Sequence, residues 1–262
     1  MARQLRVLLL LVGLTAAVYA HQIEPDRIPS WDRPLVVGIY PYNADGSPEV
    51  DEYLASLAPR DFQAIEQFMT AQSKAYGLGL ERPFELRLAS ASAAAAPPSP
   101  PPPGSIVADL RWSLGLHLWR WRLDRQGLAP DILLVANYHS PHNQPEYLHS
   151  IGILSMRLAL ANLTAHPQMA AHNQVVLAHE LLHTVGANDL YNPVTGLPIF
   201  PEGYANALQQ QRYPQRQAEL MAGRLPIAPG QAREASGLTE VVIGPLTAME
   251  IRWKQSPAAA GK

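Results

Sequence analysis

The segment NQVVLAHELLHTVGAND, Asn173 to Asp189, places two histidines four residues apart, at His179 and His183. Residues four apart lie on one face of an α-helix, about one turn from each other, so both imidazoles can bind a single zinc ion. Glu180 is rotated by about 100° from His179 and would flank the ion, where a general base for a water molecule is needed. The spacing therefore predicts a catalytic zinc site on a helix.

The residues around this pattern predict that its helix is buried, because they are apolar on nearly every face. His179, Glu180 and His183 would then be buried polar groups that need partners, and one metal ion satisfies both imidazoles. The alternative is a pair of hydrogen-bonded core histidines without a metal. The apolar positions are Val175, Val176, Leu177, Ala178, Leu181, Leu182 and Val185.

A third protein ligand is expected, because catalytic zinc usually takes three. Gly186 follows His183 by three residues and suits the left-handed position that ends a helix and reverses the chain. Asp189, three residues later, would then return toward the histidines, and its carboxylate is a good zinc ligand. Two alternatives stay open: Asp189 is only a turn residue, or Glu219 is the third ligand.

The segment HELLHTVGAND resembles the metzincin zinc-peptidase signature, in the Asp-bearing form typical of the snapalysin type. The resemblance implies a zinc ion held by His179, His183 and Asp189, with Glu180 as the catalytic residue. It also implies a methionine turn beneath the metal, and AELMAG at 218–223 resembles that turn, with Met221 in the methionine position. A methionine of the core would produce the same pattern.

The resemblance has departures. Asp189 and Met221 are 32 residues apart, with a Pro- and Tyr-rich insert at Pro193–Pro214 between them. No tyrosine stands two places after Met221, unlike in some metzincins. The whole chain also resembles a family of uncharacterised bacterial exported proteins that carry the same segment, which implies no substrate.

Apolar runs alternate with helical patterns along the chain and predict an α/β (α+β) fold, with helices packed on a mixed twisted sheet. The helix Ile106–Leu123 carries three tryptophans and three arginines, which favours packing on the sheet with the arginines outward; a membrane-surface helix is the alternative. Asp61 is expected to be a helix N-cap. Strands are expected at Pro34–Tyr40, Phe84–Leu88, Asp131–Asn137 and from Ile151 toward Leu163, and helical structure at Asp51–Tyr76, broken near Pro59–Asp61.

Residues 1–20 are expected to be a cleaved export signal. Arg3 and Arg6 precede an apolar run, and Val18 and Ala20 place small residues before the expected cleavage site. That run has about 14 residues, short of the roughly 20 that a membrane span needs. We therefore expect a periplasmic or secreted protein, which contacts a membrane only if the segment stays uncleaved.

Residues 21–262 are expected to form a single zinc-peptidase-like domain with a disordered Ala/Pro-rich loop at 89–104.

Composition excludes several classes of protein. The 262 residues contain no cysteine, which rules out disulfides, cysteine nucleophiles and iron–sulfur clusters. Lys and Arg number 20 and Asp and Glu number 22, a balance that argues against nucleic acid as a partner.

These features predict an exported zinc-dependent endopeptidase that hydrolyses peptide bonds with a metal-activated water and acts on a peptide or protein substrate. The strand at about 151–160 is expected to be an exposed edge that binds extended substrate, a role taken from the family picture. Tyr191, Tyr204 and Tyr213 are equal candidates to stabilise an oxyanion. Two alternatives remain. One is a non-catalytic exported binding protein with a structural zinc, against which the intact Glu180 argues. The other is a different zinc hydrolase.

Overall fold

The computed structural model describes residues 28–89, 96–101, 104–125, 130–143 and 150–254. The expected export signal at 1–20 therefore lies outside the described residues, as do positions 90–95 and 102–103 of the Ala/Pro-rich segment. Pro98, in the described part of that segment, accepts a hydrogen bond of 2.9 Å from the Trp112 indole N–H.

A five-stranded sheet forms the centre of the fold, and its strands are rich in Val, Ile and Leu, as expected for strands covered on both faces. The strands are β1 Leu35–Asn43, β2 Phe84–Leu88, β3 Ile132–His139, β4 Ile151–Ile153 and β5 Leu158–Thr164. Their order is β2-β1-β3-β5-β4, with parallel pairing except for β4, which pairs antiparallel with β5 at one edge. The prediction of a mixed α/β fold is confirmed.

Helices cover both faces of this sheet. They are α1 Pro48–Ser56, α2 Gln63–Ala75, α3 Ile106–Arg125, α4 Ala170–His183 and α5 Pro245–Glu250. Side chains alternate between the faces of a strand, so Leu134 of β3 packs in the core that contains α4, while Leu133 packs in a second core with α3. The sheet therefore separates α3 from α4.

The last third of the chain returns to α4 and covers it. Its strands are β6 Ala218–Glu219, β7 Arg224–Ala228, β8 Gln231–Glu234 and β9 Val241–Val242. β6 pairs parallel with β9, and β7 and β8 form an antiparallel hairpin. The 3₁₀ turn Leu220–Ala222 lies between β6 and β7 and is buried in the same core as α4.

Two local predictions are wrong. Asp61 is not the N-cap of α2; it belongs to a 3₁₀ turn, Pro59–Phe62, and its carboxylate accepts a hydrogen bond from the Ala58 N–H. The apolar stretch from Ile151 is not one strand, because a 3₁₀ turn at Leu154–Met156 divides it into β4 and β5. Within the stretch 151–160, only the three residues of β4 lie at a sheet edge, because β5 is paired on both sides.

The helix α3 packs on the sheet through Leu116, Trp119 and Leu123, as predicted. Its arginines do not all point outward: the Arg120 guanidinium donates a hydrogen bond of 3.0 Å to the Met156 carbonyl. Trp121 is more than half exposed. Within the described ranges, no helix combines the length and the apolar character needed to cross a bilayer.

Candidate metal centre

The last turn of α4 holds two imidazoles with their ring nitrogens facing each other. The Nε2 atoms of His179 and His183 are 3.1 Å apart. The Nδ1 atom of His179 lies 2.9 Å from the Leu220 carbonyl, and that of His183 lies 2.8 Å from the Ala187 carbonyl. Because a carbonyl only accepts, each Nδ1 carries the proton in the neutral ring, and each Nε2 keeps a free lone pair for a metal ion.

The chain reverses after α4 and brings a carboxylate to the same point. Gly186 has φ of +109°, a conformation that favours glycine. The Ala187 N–H donates to the Leu182 carbonyl at 3.1 Å, the long hydrogen bond of a Schellman ending. The reversal places Asp189 Oδ1 3.1 Å from one imidazole Nε2 and 3.2 Å from the other.

Two contacts from the last third of the chain fix this loop. The Asn188 backbone N–H and side-chain amide donate to the two Glu250 carboxylate oxygens at 3.0 and 2.8 Å. The Leu190 N–H donates to the Met221 carbonyl at 2.9 Å. Sequence reasoning missed Glu250, which lies 62 residues from Asn188 and has no local pattern that marks it.

The three ligand atoms fit a zinc ion. Atoms bound tetrahedrally at about 2.0–2.1 Å lie about 3.3 Å from each other, and the three separations here are 3.1, 3.1 and 3.2 Å. Glu180 belongs to a wider group, in which its carboxylate and the two imidazoles lie within 4.8 Å of one another. The tighter set, with Asp189, is the better ligand set, and Glu180 is its neighbour.

Glu180 is buried, and its Oε2 atom has no hydrogen-bond partner among the described residues. Burial raises the pKa of its carboxyl, although the neighbouring His179 and His183 act in the opposite direction. A buried carboxylate without a partner is costly in a purely structural role. Burial and a free carboxylate oxygen are the features expected of a general base that accepts a proton from water.

The charges of His179, His183 and Asp189, called the trio below, suit a cation. Burial alone would raise the pKa of Asp189, but its hydrogen bonds to His179 and His183 outweigh burial and hold the pKa well below its usual range. Asp189 is therefore ionised at neutral pH. Burial lowers the pKa of His179, while the bond to Asp189 and the charge of Glu180 together raise it above the usual value. A cation would therefore have to displace a proton from the His179 imidazole, so its affinity should fall as the pH falls.

A cleft of about 540 Å³ lies beside the trio. It runs along α4 from His179 and Glu180 toward His172, and Tyr191, Arg224 and Glu234 line its other walls. Its volume is in the range of ligand pockets, and its walls are both apolar and polar. The candidate metal ligands therefore border a space large enough for a small ligand or a side chain.

The structure distinguishes the three candidate tyrosines by whether they line the cleft. Tyr191 lines the cleft, and burial, followed by the nearby charge of Asp189 and a hydrogen bond to its carboxylate, raises the pKa of Tyr191 to about 12. Its hydroxyl thus keeps its proton and can donate at neutral pH. Tyr204 and Tyr213 do not line the cleft; their hydroxyls lie 3.0 Å apart and hydrogen-bond to each other. Tyr191 is therefore the tyrosine placed to contact a substrate.

Gly152, in the edge strand β4, lies directly against α4. A methyl group at this position would be 2.2 Å from His183 Cβ and 2.8 Å from the Glu180 carbonyl oxygen. Only glycine permits this approach, which brings an edge strand of the described sheet next to the candidate metal ligands. An isolated glycine inside an apolar strand was the sequence signal for this contact, and sequence reasoning missed it.

Glu219, the alternative third ligand, is not part of the group of carboxylate and imidazole atoms that could hold a metal. It is fully buried, and its oxygens accept from the Gly244 N–H at 2.9 Å, the Thr247 hydroxyl at 2.7 Å and the Ala222 N–H at 3.0 Å. These bonds brace the turn that carries the buried Met221 and the Leu220 carbonyl. Glu219 therefore contributes to the site through that carbonyl, which orients His179.

Comparisons of this chain with models of protein families, with curated proteins and with solved structures found no match. The arrangement provides three candidate ligands for a divalent cation, a buried carboxylate beside them and a protonated phenol that hydrogen-bonds to Asp189. Together they can activate water and stabilise a developing negative charge.

Proposed function

We propose that this protein is a zinc-dependent endopeptidase with a metzincin-like fold that acts outside the cytoplasm. The observation that carries the proposal is the meeting of His179 Nε2, His183 Nε2 and Asp189 Oδ1 within 3.2 Å, beside the unpartnered Oε2 of Glu180. The location is inferred from residues 1–20 alone. The substrate class is peptide or protein, because an edge strand of the described sheet and a cleft border the site.

The residues have distinct roles in this reaction. Zinc, when bound by the trio, supplies a Lewis acid that polarises the scissile carbonyl and acidifies water. Glu180 takes the proton of the attacking water and then delivers it to the leaving amine. Tyr191 donates a hydrogen bond to the oxygen that becomes negative. The edge of β4 pairs with the extended substrate and holds the scissile bond against α4.

The rival function is a non-catalytic binding protein with a structural zinc. Structural zinc sites are closed by four protein ligands, whereas this site offers three tight ligands. The rival also gives no reason for a buried carboxylate without a partner. The contacts of Glu180 therefore favour the enzyme.

Zinc removal is the direct test of the proposal. We expect the purified full chain to contain about one zinc per molecule, in keeping with the one set of candidate ligands in the described part of the chain. It should cleave casein or a broad peptide library, lose this activity with 1,10-phenanthroline and regain it when zinc is added. Metal content by mass spectrometry and peptide release are the measurements. A chain that holds zinc but cleaves nothing in the library would support the binding protein.

Tyr191→Phe is expected to lower kcat on the order of 100-fold, the cost of losing one hydrogen-bond donor to an oxyanion. KM should change little, because the aromatic ring that lines the cleft is retained. Tyr204→Phe is the matched control and should stay within about 3-fold of wild type, since its hydroxyl bonds only to Tyr213. Equal effects of both substitutions in steady-state kinetics would remove Tyr191 from the mechanism.

A further inference from the structure

The outward face of α3 carries an exposed apolar stripe, made of Ile106, Val107, Leu110, Leu114, Leu118 and Trp121. Spacings of three and four residues align these side chains along one face of the helix. The opposite face of α3 is the one that packs on the sheet. The stripe therefore does not serve the core, and it contains most of the large exposed apolar side chains in the part of the chain that the structure describes.

One long edge of the stripe is basic. Arg111 and Arg122 are exposed and lie three turns apart along that edge. Arg125 places its guanidinium 4.8 Å from the centre of the Trp121 ring, at the C-terminal end of the stripe. Asp109 lies on the other side of the helix, away from these arginines. An apolar surface with tryptophan and a cationic edge is complementary to a bilayer that contains anionic lipids.

The size of the stripe disfavours a second copy of the chain as its partner. From Ile106 to Trp121 the stripe rises about 23 Å along the helix axis and, at one helix diameter, is about 10 Å wide, which makes an area of about 230 Å². A stable protein complex needs about 800 Å² from each partner. A bilayer surface requires no such area or shape match, since each apolar side chain that enters it contributes separately.

We propose that the outer stripe of α3 docks on the surface of a bilayer with anionic phospholipids, with its arginines at the level of the phosphates. The helix lies on the bilayer and does not cross it, in agreement with its hydropathy. Because the sheet separates α3 from α4, the metal centre and its cleft face away from the lipid. This inference concerns a different face from the metal centre and is tested without a peptidase assay.

The absence of cysteine allows a local test, because Leu118→Cys creates a single labelling site. The full chain would carry a nitrobenzoxadiazole fluorophore there, with Leu208→Cys as the matched control on the 93%-exposed Leu208 of the insert. With phosphatidylcholine vesicles that contain phosphatidylglycerol, we expect a blue shift and an emission increase at 118 and none at 208. Residues 1–20 are common to both proteins, so the difference between positions reports α3.

Reversal of the charge of single arginines is the second test of lipid binding by α3. In co-sedimentation, each of Arg111→Glu and Arg122→Glu should lower the anionic-vesicle partition by about 5-fold or more, whereas Leu208→Glu should not. High salt should reduce binding. No response at 118, equal responses at 118 and 208, or a shift at 118 without lipid that grows with protein concentration would each overturn the proposal. The last result would identify a second copy as the partner.

Discussion

Glu180→Gln is expected to abolish peptide hydrolysis while zinc stays bound. The amide has the shape of the carboxylate but cannot take a proton, so kcat should fall by at least the 10²–10⁴-fold typical of a general base. Zinc content should not change, because Glu180 lies outside the tight set formed by the imidazoles and Asp189. Single-turnover kinetics with metal analysis of the same sample measure both quantities.

The fold should tolerate this substitution. Burial raises the pKa of Glu180, so the folded state disfavours its charged form, and the ionised group lowers stability at pH values above its unfolded pKa. A neutral amide removes this cost, and the melting temperature of the metal-free protein at neutral pH should not fall. Low activity therefore cannot be ascribed to unfolding.

Glu234→Gln is the matched control for Glu180→Gln. Glu234 lines the same cleft but is exposed and pairs with Arg224 at 3.5 Å, so its loss should change kcat by only a few-fold. If Glu180→Gln cleaves casein at the wild-type rate, another group is the base. If Glu234→Gln is as inactive as Glu180→Gln, the effect comes from cleft charge and not from proton transfer.

The sequence predicted local features well, since they depend on residues close together in the chain. β2 has the predicted bounds, and β1 and β3 extend the predicted runs by a few residues. The four-residue spacing of His179 and His183 fixes their relation on any helix, and the structure brings their Nε2 atoms together. The turn at Gly186 was also foreseeable, because a positive φ selects glycine.

Non-local contacts were not predictable. The order of strands and the pairing of β4 at the edge depend on tertiary packing, which no local pattern encodes. The glycine at 152 was a local signal of a close approach, but it did not identify His183 as the neighbour. The bonds of Asn188 to Glu250 and of His179 to the Leu220 carbonyl likewise join distant segments. Glu219 shows the limit clearly: its residue type suited a ligand, and only its three donors reveal that it braces a turn.

Asp189→Ala is expected to weaken zinc binding by more than 100-fold, beyond the 10–100-fold cost of losing an outer-shell contact. His183→Ala should be at least as severe, because it removes a ligand and also the bond to the Ala187 carbonyl that holds the loop. Bound zinc stabilises the folded wild type by about 2.7 kcal/mol at a free concentration of 100 times Kd. Zinc should therefore raise the melting temperature of wild type and of neither variant.

Glu219→Gln separates a ligand from a structural acid. The NH2 group of the glutamine would replace one accepting oxygen and would face an N–H or hydroxyl donor. This costs about 1–3 kcal/mol, so the metal-free melting temperature should fall. Zinc should still bind, because the trio is intact. Asp189→Ala should lose most of the bound zinc, and its metal-free stability should also fall at neutral pH, because its bonds to the imidazoles hold the pKa of Asp189 below the usual range. If Asp189→Ala keeps stoichiometric zinc while Glu219→Gln loses it, the assignment of the third ligand is wrong, and the turn at Gly186 has another purpose.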